Sequence, residues 1–496
     1  MIDYDFVNTP IVDIVNRIII YASKHMASDI HFDPREDCMM IRMRMDGRLR
    51  DHSKVPKMYE KNLTTRVKLI SKMNITETRI PQDGAIKGVV DGKELDMRVS
   101  ALPTNEGEKI VVRLLDYSQS LEGLNTLGFS PTNLKKIERM LDIPNGIILV
   151  TGATGSGKST TTYSMISEIN TEDRNIITVE DPVEMNIEGI NQVYVNSEIG
   201  LTFASALRSI LRQDPDVILI GEIRDSETAQ IAVRAAITGH LVLSTLHTND
   251  ALSTIERLVD MDVERYLLST ALNGIISQKL ARTLCNDCKR LRPTTNYEKQ
   301  IFEKILGKTV DEVYEPVGCD KCNGGFKGRI ALHEVLLLTD RIRELINDDM
   351  IDKEELRKAV YTEDTTTLLQ DALEKVVAGY TTFKEVYRNV DIDFDLERTI
   401  RQEVREEEKK KNKDEVLEVI DLNDSNDISM KVSNKELIRI KAKAKFDAET
   451  KYKKKKEEDD VIDIFVNQDA PEALKNKQKE KKEKKEKEKE KEKKEK

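Results

Sequence analysis

Residues 147–169 read IILVTGATGSGKSTTTYSMISEI, and this stretch decides the fold. IILVT is an apolar strand, TTTYSMISEI has the composition of a helix, and GATGSGKS at 152–159 joins them. Glycines at 152, 155 and 157 let the backbone turn its N–H groups inward, where they can hold phosphate oxygens. The following helix adds the positive end of its dipole. The candidate nucleotide-binding residues are therefore Gly152, Ala153, Thr154, Gly155, Ser156, Gly157, Lys158, Ser159 and Thr160. Lys158 has the reach and charge for the β- and γ-phosphates, and the Ser159 hydroxyl suits Mg²⁺.

Downstream, apolar runs at 176–179, 217–220 and 241–243 alternate with helical stretches. That alternation predicts an α/β fold with a mostly parallel sheet covered on both faces. Binding the phosphates is not hydrolysing them, which needs a carboxylate near the γ-phosphate. VILIGE at 217–222 ends in Glu222. A strand beside the loop strand would deliver it to the carboxyl edge of the sheet, where α/β ligands bind. Glu180, Asp181 and Glu184, in ITVEDPVE, follow another apolar strand and could reach the same edge. His240 and His247 flank the strand in TGHLVLSTLHTNDA, with His247 at its carboxyl end.

GATGSGKS, ITVEDPVE, ILRQDPDVILIGEIRD and TGHLVLSTLHTNDA, in this order, resemble the secretion ATPases of type II secretion and type IV pilus assembly. In that family they are the Walker A, aspartate, Walker B and histidine boxes. SDIHFDP at 28–34, TRIPQDGAI at 78–86 and RVSALPTNEGEKIVVRLL at 98–115 look like its N-terminal PAS-like domain. The resemblance implies a RecA-like core behind an α+β PAS-like domain, assembled as a homohexamer that uses ATP and Mg²⁺. It marks Glu222 as the water-polarising carboxylate, with Glu180 as support or alternative, and His247 as a further active-site group. Arg98 and Arg113 match arginines that approach the phosphates on domain closure, and Arg208, Arg212 and Arg224 match a second basic cluster. The implied function is an ATPase motor that drives pilus assembly or protein secretion through an inner-membrane platform protein. Pilus retraction or DNA uptake, and a non-hydrolysing nucleotide sensor, are the alternatives.

Four of the five cysteines form two CxxC pairs, Cys285/Cys288 and Cys319/Cys322, with 30 residues between the pairs. Two such knuckles supply the S₄ shell that Zn²⁺ accepts. In the resembled family a tetracysteine element marks assembly and export members rather than retraction motors. The GRIALHEVL segment at 328–336 carries Ala331 and His333 where that family tends to have Gly and Tyr.

Charge sets the outer limits. The net charge is −10, yet residues 479–496 are 11 Lys and 7 Glu, which leaves −14 on residues 1–478. A net-acidic body argues against a specific nucleic-acid partner. No apolar run approaches the roughly 20 residues of a bilayer span, and MIDYDFVNTP lacks the order of a signal peptide. A cytoplasmic protein attached peripherally to the inner face of the membrane is expected. The expected organisation is an N-terminal domain over 1–115, a linker over 116–140 and an ATPase core over 141–284. A zinc element over 285–330, a helical region over 331–395 and a disordered charged tail over 396–496 complete it.

Overall fold

The computed structural model describes residues 1–90, 93–115, 123–348, 350–362, 364–392 and 397–404. In the N-terminal part, α1 (Ile11–Lys24) buries Ile14, Val15, Ile18, Ile19 and Ala22, the helical stripe visible in the sequence. It packs with α2 (Lys57–Ile70) against a six-stranded sheet. The strands are β1 (Ala27–Pro34), β2 (Cys38–Met45), β3 (Arg48–Pro56), β4 (Gln82–Val90), β5 (Lys93–Thr104) and β6 (Gly107–Leu115). Their order is β3-β2-β1-β6-β5-β4, antiparallel throughout. From Met39 to Arg44 of β2 the alternation is strict: Met39, Ile41 and Met43 are buried, while Met40, Arg42 and Arg44 face outward. Asp46 and Gly47 both have positive φ, 50° and 78°, as the tight β2–β3 hairpin requires.

Ser130 caps α3 (Pro131–Asp142) by accepting the Asn133 N–H at 3.2 Å, with Pro131 in the first helical position. Beyond it lie β7 (Gly146–Thr151), α4 (Lys158–Ile169), β8 (Ile176–Glu180), β9 (Asn191–Tyr194), α5 (Phe203–Ile210) and β10 (Val217–Ile220). Then come α6 (Ser226–Ile237), β11 (Leu241–Leu246), α7 (Ala251–Asp260), α8 (Arg265–Ala271) and β12 (Leu272–Leu284). An excursion of β13 (Arg290–Pro293), α9 (Asn296–Leu306) and β14 (Glu312–Glu315) follows. The chain returns as β15 (Phe326–Leu337) and continues in α10 (Asp340–Asn347), α11 (Lys353–Val360), α12 (Leu368–Val377) and α13 (Phe383–Asn389).

The main sheet has the order β15-β12-β7-β11-β10-β8-β9, parallel except where β15 runs against β12. Both faces are buried: Ile147 and Leu149 of β7 join one apolar core, Ile148 and Val150 the other. The expected α/β core with a parallel sheet is present.

Two expectations change. Residues 331–337 are not helical: they extend β15, which pairs residue by residue with the long strand β12 on the side away from β7. The start of the tail is ordered as well. Residues 397–404 are helical, Ile400 is fully buried against Phe302 and Phe383, and Lys304 pairs with Glu403 at 2.7 Å. The disorder expected for the tail beyond 404 concerns residues outside those described, as does the 116–122 part of the linker.

Candidate nucleotide-binding site

The loop between β7 and α4 is dictated by close approach. At Gly152 (φ 147°) an added Cβ would sit 2.3 Å from the Gln278 carbonyl oxygen. At Gly157 (φ 91°) it would sit 2.7 Å from Gln278 Nε2. Glycine is thus required twice over, for backbone conformation and for space. Gln278 lies on β12, beside β7, and is 2% exposed. Its Nε2 donates to the Ser156 carbonyl at 2.7 Å, and its Oε1 accepts from Thr161 Oγ1 at 2.8 Å. One residue before it, Ser277 Oγ lies 3.0 Å from Thr151 Oγ1. Sequence reading missed this clamp. Its only signal is a polar Ser-Gln pair directly after the apolar Ile275-Ile276 of the strand.

Lys158 opens α4 and donates from Nζ to the carbonyls of Gly152 (2.8 Å) and Ala153 (3.1 Å). Burial pushes its pKa down, and the nearby Glu222 carboxylate opposes that shift. Ser156 Oγ is buried and has no protein partner. A buried cation, an orphaned hydroxyl and a helix N-terminus form a donor set suited to a phosphate chain. Ser159 lines the same cleft with a hydroxyl of the hard-oxygen type that Mg²⁺ accepts.

The strand carrying Glu222 is not beside the loop strand, contrary to expectation: β11 lies between β7 and β10. This ordering puts His247, just past β11, next to Glu222, just past β10. His247 Nε2 is 3.3 Å from Glu222 Oε2. Arg224 also binds Glu222 and lies 3.7 Å from Asp181. Burial alone would raise the Glu222 pKa, but Arg224 and His247 outweigh it and hold the carboxyl below its ordinary value. Glu180 has a different environment. It is 4% exposed at the end of β8 and accepts bonds from Tyr163, Thr178 (2.5 Å) and Gln192 (3.1 Å). Those three donors occupy much of its acceptor capacity.

The N-terminal six-stranded sheet supplies the facing wall. Arg113 and Arg44, together with Asp29, line one cleft of about 1410 Å³ with Lys158, Glu180, Glu222 and His247. Arg98 donates to the Val183 carbonyl at 3.0 Å and lies 4.0 Å from Glu184. Burial raises the Glu184 pKa, against the pull of Arg98 and Arg113.

A second site sits at the far end of the β12–β15 pair. The Sγ atoms of Cys285, Cys288, Cys319 and Cys322 all lie within 4.8 Å of one another. Three of the separations are 3.9, 3.7 and 3.6 Å. A tetrahedron with Zn–S bonds of about 2.3 Å has edges of about 3.8 Å, so the donor set fits the ion. The backbone N–H groups of Cys319 and Gly325 each donate to Cys322 Sγ at 3.2 Å. Burial raises the Cys322 pKa, but these donors win and bring it down to about 7.

A profile of the family described as "Type II/IV secretion system protein" matches residues 7–388. The chain belongs to that family. Type II secretion system protein E of Pectobacterium carotovorum subsp. carotovorum is 47% identical over 382 residues, 77% of this chain and 76% of its own. Type IV pilus assembly ATPase PilB of Myxococcus xanthus (strain DK1622) is 46% identical over 389 residues, 77% and 68% of the two chains. Among solved structures, the pilus retraction motor PilT with bound ADP aligns at TM-score 0.53 and 28% identity, over 78% of this chain and 98% of PilT. The ATPase DotB of Legionella pneumophila shares the fold at TM-score 0.58 and 24% identity, over 78% and 96%.

Within this family member, the expected site residues do not all meet. Arg208 pairs with Glu227, and Arg212 donates to the Arg208 carbonyl at 2.7 Å; both are exposed on or just past α5 and neither lines the cleft. Arg224 does reach the site. His240 precedes β11, at the opposite sheet edge from His247, and bonds the Ala235 carbonyl at 2.9 Å. His333 is a fully buried packing residue stacked on Phe129, and burial drives its pKa well below the usual imidazole value.

Proposed function

We propose that this chain is an ATP hydrolase that couples domain closure to mechanical work in type II secretion or type IV pilus assembly. One observation carries the reading: a single cleft gathers Lys158, the Glu222–His247 pair and arginines from a separate domain. In this reading the 152–160 loop holds the triphosphate and Lys158 neutralises the β- and γ-phosphates. Ser159 is the hydroxyl that would hold Mg²⁺, which when bound adds charge neutralisation at those phosphates. Glu222, an ionised carboxylate held by Arg224 and His247, accepts a hydrogen bond from water and aims it at the γ-phosphorus. The new P–O bond forms as the bond to the β-phosphate oxygen breaks and ADP leaves. His247 fixes the Glu222 carboxylate, and Glu180 supports the wall through Tyr163. Arg98 and Arg113 bring positive charge to the transition state when the domains close.

We assign the same working units as expected from sequence: domain 1–115, linker 116–140, core 141–284, zinc element 285–330 and the regions beyond. They would act in a homohexamer at the cytoplasmic face of the inner membrane, on a platform protein. The export or assembly direction is supported by relatives of 46–47% identity named for secretion and pilus assembly, against 28% for the retraction motor. The four cysteines would hold a structural zinc.

The test is steady-state ATP turnover by the full chain. Lys158→Ala should abolish it with the fold intact. Glu222→Gln should keep nucleotide binding while turnover falls at least about a hundredfold. Nucleotide binding without turnover by the unaltered chain would reduce the protein to a nucleotide sensor.

A further inference from the structure

The registers of four strands line up a row of charge. Arg44 of β2 pairs with Asp29 of β1, Asp29 pairs with Arg113 of β6, and Arg113 pairs with Arg98 of β5. Directly opposed residues share a sheet face, so these four side chains form one line across the sheet. Three guanidinium groups and one carboxylate leave the row at +2.

Such a row does not help the sheet fold. Like charges directly opposed, as Arg98 and Arg113 are, weaken pairing. Asp29 is 6% exposed, and a carboxylate that buried is costly unless it is paired. It is paired on both sides: Arg113 Nε donates to Oδ1 at 3.0 Å, and Arg44 Nε lies 3.5 Å from Oδ2. Ser28, at a bulge in β1, adds a hydroxyl bond to Oδ2 at 2.8 Å. Arg44 is further fixed by donating from Nη1 to the Gly47 carbonyl at 3.1 Å. Arg98 has its own partners on the 183–184 loop, whereas Arg44 and Arg113 both line the cleft that contains Lys158. Two guanidinium groups against one carboxylate leave a net +1 facing the place where a triphosphate would lie.

We propose that Arg44 is a third arginine for the phosphates, beside Arg98 and Arg113, and that Asp29 is the positioning residue that holds Arg44 and Arg113 as a pair. This deepens the reading of the cleft as an ATPase site and rests on it. Both guanidinium groups meet Asp29 through Nε, the edge nearer the chain. On closure their terminal Nη groups meet the γ-phosphate and offset the charge that builds there. A cation held beforehand needs no reorganisation in the transition state, so loss of either arginine shows in kcat.

The experiment is ATP turnover and nucleotide affinity of the full chain with Mg²⁺. Arg44→Gln should lower kcat at least about tenfold while the Kd for a fluorescent ATP analogue changes less than about threefold. Asp29→Asn should do the same. The double variant should cost little more than the worse single, because both changes dismantle one device. Arg42→Gln is the control: on the same strand and face, two residues away, it pairs with Asp33 outside the cleft and should keep the normal rate. A normal kcat in Arg44→Gln, or costs that simply multiply in the double variant, overturns the inference while the ATPase assignment stands. An unaltered chain that hydrolyses nothing defeats the assignment itself.

Discussion

Leu284 of β12 pairs in register with Phe326 of β15, and that pairing brings together cysteines far apart in sequence. Cys285 follows the first strand immediately, and Cys319 and Cys322 lie seven and four residues before the second. The 30 residues between Cys288 and Cys319 close on themselves as the β13–α9–β14 excursion. The Cys285 N–H seals the junction by donating to the Gly325 carbonyl at 2.9 Å.

Zinc content should follow from this arrangement. Metal analysis of the purified chain should find about one zinc per molecule, and Cys285→Ser with Cys288→Ser should release it. Protease cleavage within 289–318 should then accelerate, because the excursion loses its closure. Native protein with no zinc would refute the S₄ assignment.

Gln278 should prove as important to nucleotide binding as several loop residues. Gln278→Ala strips partners from the buried Ser156 carbonyl and the Thr161 hydroxyl, costing on the order of 1–3 kcal/mol. Because those groups shape the phosphate loop, nucleotide Kd should rise about tenfold, alongside a lower melting temperature. Unchanged affinity with lowered stability would make the clamp purely architectural.

Acid should weaken the packing around His52 in the N-terminal sheet before it touches the cleft. His52 is 6% exposed, bonded to Tyr4 at 2.9 Å, and held near pKa 4 by burial, helped by His25 and the chain terminus. An unfolded histidine titrates near 6.5, so between those values the unfolded chain takes up a proton that the folded one refuses. The contribution is complete above about pH 6.5 and fades as pH falls towards 4, a difference of up to about 3 kcal/mol. Urea midpoints measured across that range should fall with acid, and His52→Phe should flatten the slope. An identical slope in the variant would assign the loss to another group.

Much of this protein is legible in one dimension because its signals are local. Alternation in Met39–Met45, the stripe in α1, the Asp46-Gly47 hairpin, the Ser130-Pro131 cap and the glycines at 152 and 157 each express a preference within a few residues. What was misread or missed depends on partners distant along the chain. Residues 331–337 became strand because β12 offered an edge, and Ile400 was ordered because Phe302 and Phe383 offered a pocket.

The amino-acid sequence alone determined the phosphate loop, the α/β core and the four thiols, since glycine, lysine and cysteine there answer to backbone geometry and intrinsic chemistry. Only the tertiary structure decided that β11 separates β7 from β10, that Gln278 clamps the loop, and that Asp29 sits between two arginines. Strand order and register are set by the packing of the whole sheet, and no short stretch of chain carries that information by itself.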